Sequence, residues 1–207
     1  MRFPFLRPGL VLAALCSLSM AHADTIDFDS DPNGPKANGF VSVQSPLVSF
    51  SDSMGAGLVV GNFGSQTVGN GLAVLGDDPS ALIMDFSVNV NSLSLLFGND
   101  EPTGTQPGDI AVLRAFSGAA QVGQATVVMN RNDIADQTIS LSGFDFNRAT
   151  FRYERTVGNP INLIETVDNI TFTPSPAQAA IPEPGTLALL LVGAMTTGVG
   201  VRRRRRG

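Results

Sequence analysis

An all-β fold, an antiparallel β-sandwich, is what this sequence predicts, on three observations. Between Asp24 and Thr173 apolar residues alternate with polar ones in short runs, the period of a half-buried strand. Clusters of Gly, Pro, Asn and Asp separate these runs, where fixed or left-handed backbone conformations reverse a chain. No helical repeat of ten residues occurs in that interval, and its composition favours Gly, Ser, Thr, Val and Asn over Lys and Glu.

Taken in order, Thr25-Ile26-Asp27-Phe28-Asp29 alternates as a strand and runs into the turn cluster Ser30 to Pro35. Gly39 to Gln44 and Leu47 to Phe50 read as strands with a break at Ser45-Pro46. Leu58 to Val60 and Gly71 to Gly76 sit among glycines that lack both the G-x-G-x-x-G order and a following helix, so they mark strand ends and bulges, not a dinucleotide site. Ala81 to Phe86 and Ser92 to Phe97 are strands with a breaker at Val88 to Asn91; Ile110 to Phe116 and Gln124 to Met129 follow. Thr138 to Leu141, Arg148 to Tyr153 and Asp168 to Thr173 complete roughly eleven short strands. In the second of these, alternation sets Arg148, Thr150, Arg152 and Glu154 on one face, as a basic strip beside acidic partners, and Ala149, Phe151 and Tyr153 in the core.

The two ends have a different character. Arg2 and Arg7, the apolar stretch Gly9 to Met20 and Ala21-His22-Ala23 form the charged, apolar and small-residue parts of a secretory signal peptide, 1–23, with the mature chain starting at Asp24. The body, 24–173, is followed by a proline- and alanine-rich linker, 174–181, and a tail, 182–207. The tail opens on Pro182, Glu183 and Pro184, continues as the uncharged run Thr186 to Val201, long enough as a helix to reach roughly 24 Å, and ends on Arg202, Arg203, Arg204, Arg205 and Arg206. Arginines beside an apolar run resist translocation, so they act as a cytoplasmic stop and leave the body outside.

This tripartite tail resembles the PEP-CTERM sorting signal. The resemblance implies an exported protein of a Gram-negative bacterium, anchored transiently in the inner membrane, cut near Pro182-Glu183-Pro184 by an exosortase-like membrane protease, and then released or held at the cell surface. The opening Ile26-Asp27-Phe28-Asp29, the closing Val167 to Phe172, and Met84-Asp85-Phe86 with Leu93 to Gly98 and Val112 to Phe116 are similar to jelly-roll domains that precede this tail and are related in shape to carbohydrate-binding modules. That resemblance implies a jelly-roll-like body and carries no catalytic signature.

Residues 24–181 hold six Lys and Arg against seventeen Asp and Glu, a net charge near −11, which repels nucleic acid and favours cations or neutral polymers as partners. The same residues include no Cys and no His, which removes disulfides, thiol nucleophiles, histidine bases and ordinary zinc sites. Oxygen chemistry remains, and it suits calcium. Asp27, Asp29 and Asp31 fall on one face of a strand, and with Asp168 from the last strand they form a candidate calcium site; Pro32 and Asn38 stand where an EF-hand needs Gly and Glu. The loop from Gly98 to Asp109 offers Asn99, Asp100, Glu101 and Asp109 to sugar hydroxyls or a cation.

These readings converge on a secreted, non-enzymatic component of an extracellular matrix or cell surface, binding polysaccharide with calcium support. Two alternatives stand beside it: a polysaccharide hydrolase or lyase, which needs a groove with two close carboxylates, and a structural matrix protein without a ligand.

Overall fold

The structure, a computed structural model, describes residues 22–176; the apolar stretch expected to be a signal peptide and the tail expected to be a sorting signal, including Pro182-Glu183-Pro184 and Arg202 to Arg206, lie outside the described residues. Among the described residues no helix is long and apolar enough to cross a membrane. Eleven strands form: β1 Asp24–Ile26, β2 Gly34–Lys36, β3 Val48–Asp52, β4 Leu58–Gly61, β5 Gly71–Val74, β6 Leu82–Gly98, β7 Ile110–Ser117, β8 Ala120–Val128, β9 Gln137–Thr156, β10 Asn159–Pro160 and β11 Thr166–Pro174. Among the described residues a single 3-10 turn, Gly64–Gln66, interrupts them, and every strand pairing is antiparallel.

The strands join in the order β2-β4-β5-β11-β6-β9-β7-β8, with β1 on β11, β3 on β6 and β10 on β9. Two of them, β6 and β9, run 17 and 20 residues and pair with each other at both ends. Residues 82–85 of β6 face 148–151 of β9, and 92–97 face 137–142; the register slips between Asp85, Val90 and Ser92. Each long strand therefore bends through a bulged middle and belongs to two leaves, the way strands turn corners between packed sheets. Leaf one holds β3, the first half of β6, the second half of β9, β7, β8 and β10; leaf two holds β2, β4, β5, β1, β11 and the remaining halves of β6 and β9.

The leaves close on one core. Phe97 of leaf two stacks across the interior on Phe151 and Tyr153 of leaf one, ring centroids 5.7 and 6.1 Å away, and Phe86 meets Phe172 edge-on at 5.1 Å. None of these pairs is a ladder neighbour, so the contacts hold the layers together and not the strands. The Gln137 side chain accepts from the Asn130 N–H and donates to the Val128 carbonyl, at 2.8 and 2.9 Å, tying the end of β8 to the start of β9.

Several sequence expectations change here. Val88 to Asn91 is not a break: Ser87-Val88-Asn89 lacks Gly and Pro, nothing forces a reversal, and β6 runs on through its bulge. Thr138 to Leu141 and Arg148 to Tyr153 are likewise one strand, with Gly143 at φ 94° bending it without reversing it. Gly39 to Gln44 forms no strand beyond the single bridge Phe40 to Phe50, since the Asp31 carboxylate instead captures the Ser42 hydroxyl and the Val43 N–H at 2.6 and 2.9 Å. The opening strand stops at Ile26 because Gln44 Oε1 accepts the N–H groups of Asp27 and Phe28, at 3.1 and 2.9 Å, and Phe28 adopts φ 59°.

Gly98 ends β6 directly beneath the turn Gly64–Gln66. A Cβ built there falls 2.5 Å from the Gln66 carbonyl oxygen and 2.7 Å from its Cα, both backbone atoms that cannot swing aside. Gly98→Ala is expected to cost about 1–3 kcal/mol by overpacking, read as a lower urea midpoint with unchanged slope; an unaltered midpoint would refute this packing.

Candidate functional site, a cleft where the long strands bend

The outer face of leaf one carries the ionic groups. Glu154, fully buried, accepts a two-pronged pair from Arg114 at 2.8 and 2.9 Å, a third bond from Arg152 at 2.5 Å and the Gly158 N–H at 2.6 Å. Burial pushes its carboxyl up, but the hydrogen bonds from Arg114, Gly158 and Arg152 outweigh this and hold it below the usual carboxylate value. Arg148 pairs with Asp85 in the open, at 2.5 and 3.1 Å. Arg114, Arg148 and Arg152 are thus occupied with acidic neighbours, while Ala149, Phe151 and Tyr153 face the core, as alternation required.

The acidic residues singled out in the sequence are largely internal fittings. Because the strand ends at Ile26, Asp27, Asp29 and Asp31 do not share a face. Asp31 turns to Ser42 and Val43; Asp27 accepts from Gln44 Nε2 and the Asp29 N–H at 2.6 and 3.0 Å; Asp29 accepts the Asn70 N–H at 2.8 Å. Asp168 lies fully buried and accepts the N–H groups of Val68 and Asn169, at 2.8 and 2.6 Å. Its carboxyl is raised by burial, helped by the charges of Asp29 and Asp27. Among the described residues no three acidic side chains converge to hold a metal ion.

The loop after β6 is similarly built inward. Asn99 donates to the Ile164 carbonyl at 2.5 Å, and the buried Asp100 accepts the N–H groups of Arg131 and Asp133 at 2.8 and 2.9 Å, two residues held at φ 63° and 60°. Asp109, also buried, accepts the Gln106 N–H at 2.8 Å. Of the four loop candidates Glu101 alone keeps a carboxylate that, among the described residues, accepts no hydrogen bond; its backbone carbonyl holds Thr105.

One buried carboxyl is an exception to this pattern. Glu165 is fully buried, and both its oxygens lack a hydrogen-bond partner among the described residues, as does the hydroxyl of Ser80. Burial pushes this carboxyl well above its ordinary value of 4.5, with the charges of Asp78 and Asp52 adding to the effect.

An open concavity exists elsewhere. At the bend shared by β6 and β9, Asn91, Ser92, Ser142, Gly143, Phe144 and Asp145 line a cleft of about 510 Å³. Ser92 and Ser142 face each other across the ladder, and Gly143 at φ 94° bends β9 just after them. Phe144 is partly buried and packs against the core, with its ring over Gly123, where a Cβ would collide with it, and its centroid 6.0 Å from that of the buried Phe146. Asp145 accepts the Ser175 hydroxyl at 2.5 Å. On the other side of the bend a smaller hollow of about 290 Å³ is lined by Asp85, Phe86, Gly118, Asn147 and Arg148. The cleft gathers amide, hydroxyl and carboxylate groups beside one apolar ring, a set that suits a polar ligand with small apolar faces. Sequence reasoning singled out none of its residues: Asn91 fell in an expected break, Ser92 at the start of an expected strand, and Ser142 to Asp145 between two expected strands; Gly143 followed at once by renewed alternation from Phe144 was the available sign of a bend.

No family model matches this sequence, and no curated protein is significantly similar to it. Among solved structures it is similar to a mutant of the family 29 carbohydrate-binding module CBM29-2, at 13% identity and a TM-score of 0.36, covering 79% of this chain and 99% of that one. It is also similar to the module CtCBM11, at 14% identity and a TM-score of 0.32, covering 76% and 98%. Superpositions this loose carry no conclusion about ligands, and the architecture described above rests on the strand pairing itself.

Because burial raises the Glu165 carboxyl in the folded chain above its ordinary value of 4.5, its contribution to stability is whole below that value and fades as pH rises toward the folded one. Glu165→Gln is expected to melt at higher temperature than the native chain at pH 8, with the gap closing toward pH 4; a variant less stable at pH 8 would show the carboxylate to be partnered. Calcium is expected to leave the melting temperature where EDTA leaves it, and a rise of several degrees would restore a cation at Asp27, Asp29 and Asp168.

Proposed function

We propose that this is an exported, non-catalytic surface or matrix protein that binds polysaccharide at the cleft between β6 and β9. The observation that carries the reading is the composition of that cleft: Asn91, Ser92, Ser142 and Asp145 offer donors and acceptors around the partly buried ring of Phe144. Amides and hydroxyls fix sugar hydroxyls, and a ring edge or face meets the C–H side of a pyranose. Asp145 is the single carboxylate lining it, whereas glycoside hydrolysis needs two. Export through a PEP-CTERM route and a jelly-roll-like description of the body belong to the same proposal, supported by the tail sequence Pro182-Glu183-Pro184, the apolar run and Arg202 to Arg206. The acidic body adds to it, since such a surface stays soluble and disperses among neutral polymers.

Binding of the full chain to immobilised glycans is expected to weaken about fivefold for Asn91→Ala and for Phe144→Ala, the equivalent of ~1 kcal/mol for one lost hydrogen bond or ring contact. Retained binding in both variants would remove the cleft from the reading, and release of reducing ends from any polymer would replace it with an enzyme. Mass spectrometry of native material from culture medium is expected to show a chain ending near Pro182-Glu183-Pro184; recovery of intact Arg202 to Arg206 there would refute processing.

A further inference from the structure

We infer that the cleft opens onto a hydroxyl-bearing sheet face and that the ligand is an uncharged polysaccharide laid flat across it over several sugar residues, an inference that rests on the polysaccharide reading above. The ladder register of leaf two aligns side chains that are far apart in sequence. Thr25, Thr171, Ser94 and Ser140 stand in one row across β1, β11, β6 and β9. Thr173, Ser92 and Ser142 form the next row, and on the other side of the first row Thr138 stands opposite Leu96, which is itself paired with the fully buried Asp168. Their strand neighbours Leu93, Leu95, Ile139, Leu141 and Phe172 are buried in the core, so alternation directs the hydroxyls outward. Thr25, Thr138, Ser140 and Ser142 are exposed, and Ser92, Ser94, Thr171 and Thr173 are half-exposed.

With strands ~4.8 Å apart and alternate residues ~6.7 Å apart along a strand, the patch measures roughly 14 Å on a side. Thr25 and Thr171 share a hydrogen bond of 3.0 Å, so the rows are themselves ordered. Ser92 and Ser142 belong both to this face and to the cleft, which makes the two surfaces continuous. A hydroxyl both donates and accepts, as does each hydroxyl of a sugar, so the match needs no fixed polarity.

Charge selects the polymer class. None of the eight hydroxyl residues is ionisable, although the body is strongly acidic, and carboxylates stand at both ends of the face: Asp145 in the cleft, and Asp27 and Asp29 beyond β1. A polyanion lying here is repelled by these carboxylates, and a neutral chain is not. A flat surface with one aromatic ring at its margin gains little from any single sugar. Ligand length therefore sets the affinity.

The test uses the full chain in neutral detergent against amorphous cellulose, insoluble β-1,3-glucan, starch, alginate and short soluble fragments of each. Ser94→Ala with Ser140→Ala, and separately the shape-preserving Thr171→Val, are expected to lower retention on a neutral polymer tenfold or more while leaving fragment binding and melting temperature unchanged. Alginate is expected to be retained at least tenfold less than the neutral polymer. Full polymer binding in both face variants, alongside loss in Phe144→Ala, would overturn the hydroxyl face and leave the cleft standing. Alginate bound as well as the neutral polymer would overturn the choice of polymer class. A native chain that binds none of these would overturn both this inference and the reading beneath it.

Discussion

The pairing of β6 with β9 at both ends fixes nearly everything else in the body. Two long antiparallel strands that bend together through a shared bulge supply the centre of both leaves at once. β3 and β11 attach to opposite halves of β6, while β7 and β10 attach to the second half of β9. Because side chains alternate strictly along a strand, the slip between Asp85 and Ser92 is what lets Met84, Phe86, Leu93, Leu95 and Phe97 all face one interior although the strand changes leaf. The same bend leaves the concavity around Phe144.

Around that centre the chain holds its irregular segments with carboxylates. Asp31, Asp52, Asp100, Asp109 and Asp168 are each buried, and each accepts backbone N–H groups of a loop that has no ladder to satisfy them. A carboxylate that receives such bonds offsets its own desolvation and fixes the loop at the same time. In a body with no cysteine this takes the place of cross-links. Much of the acidity that the composition displays is therefore structural. Glu154 follows the same logic with arginines as donors, and Glu165 departs from it, its two buried oxygens having no donor among the described residues.

The two outer faces differ in kind, and the difference bears on function. Leaf one presents arginines already engaged by Glu154 and Asp85. Leaf two presents rows of serine and threonine without charge, reaching the cleft through Ser92 and Ser142. Groups that have spent their hydrogen bonds internally have little left for a ligand, so recognition falls to leaf two and its margin.

From sequence alone, the all-β antiparallel class, the segments that become β3, β4, β5, β7, β8 and β11, and the inward set Ala149, Phe151 and Tyr153 were legible, because alternation and turn residues act over a few positions. The candidate site was not. Whether Val88 to Asn91 turns or continues depends on partners fifty residues away in β9, and whether Asp100 meets solvent or the N–H groups of Arg131 and Asp133 depends on a loop thirty residues on. The rows joining Thr25, Thr171, Ser94 and Ser140 exist only through register. Local pattern settles which way a side chain points from its own strand; tertiary pairing decides which distant side chains it stands beside, and a binding surface is made of that second relation.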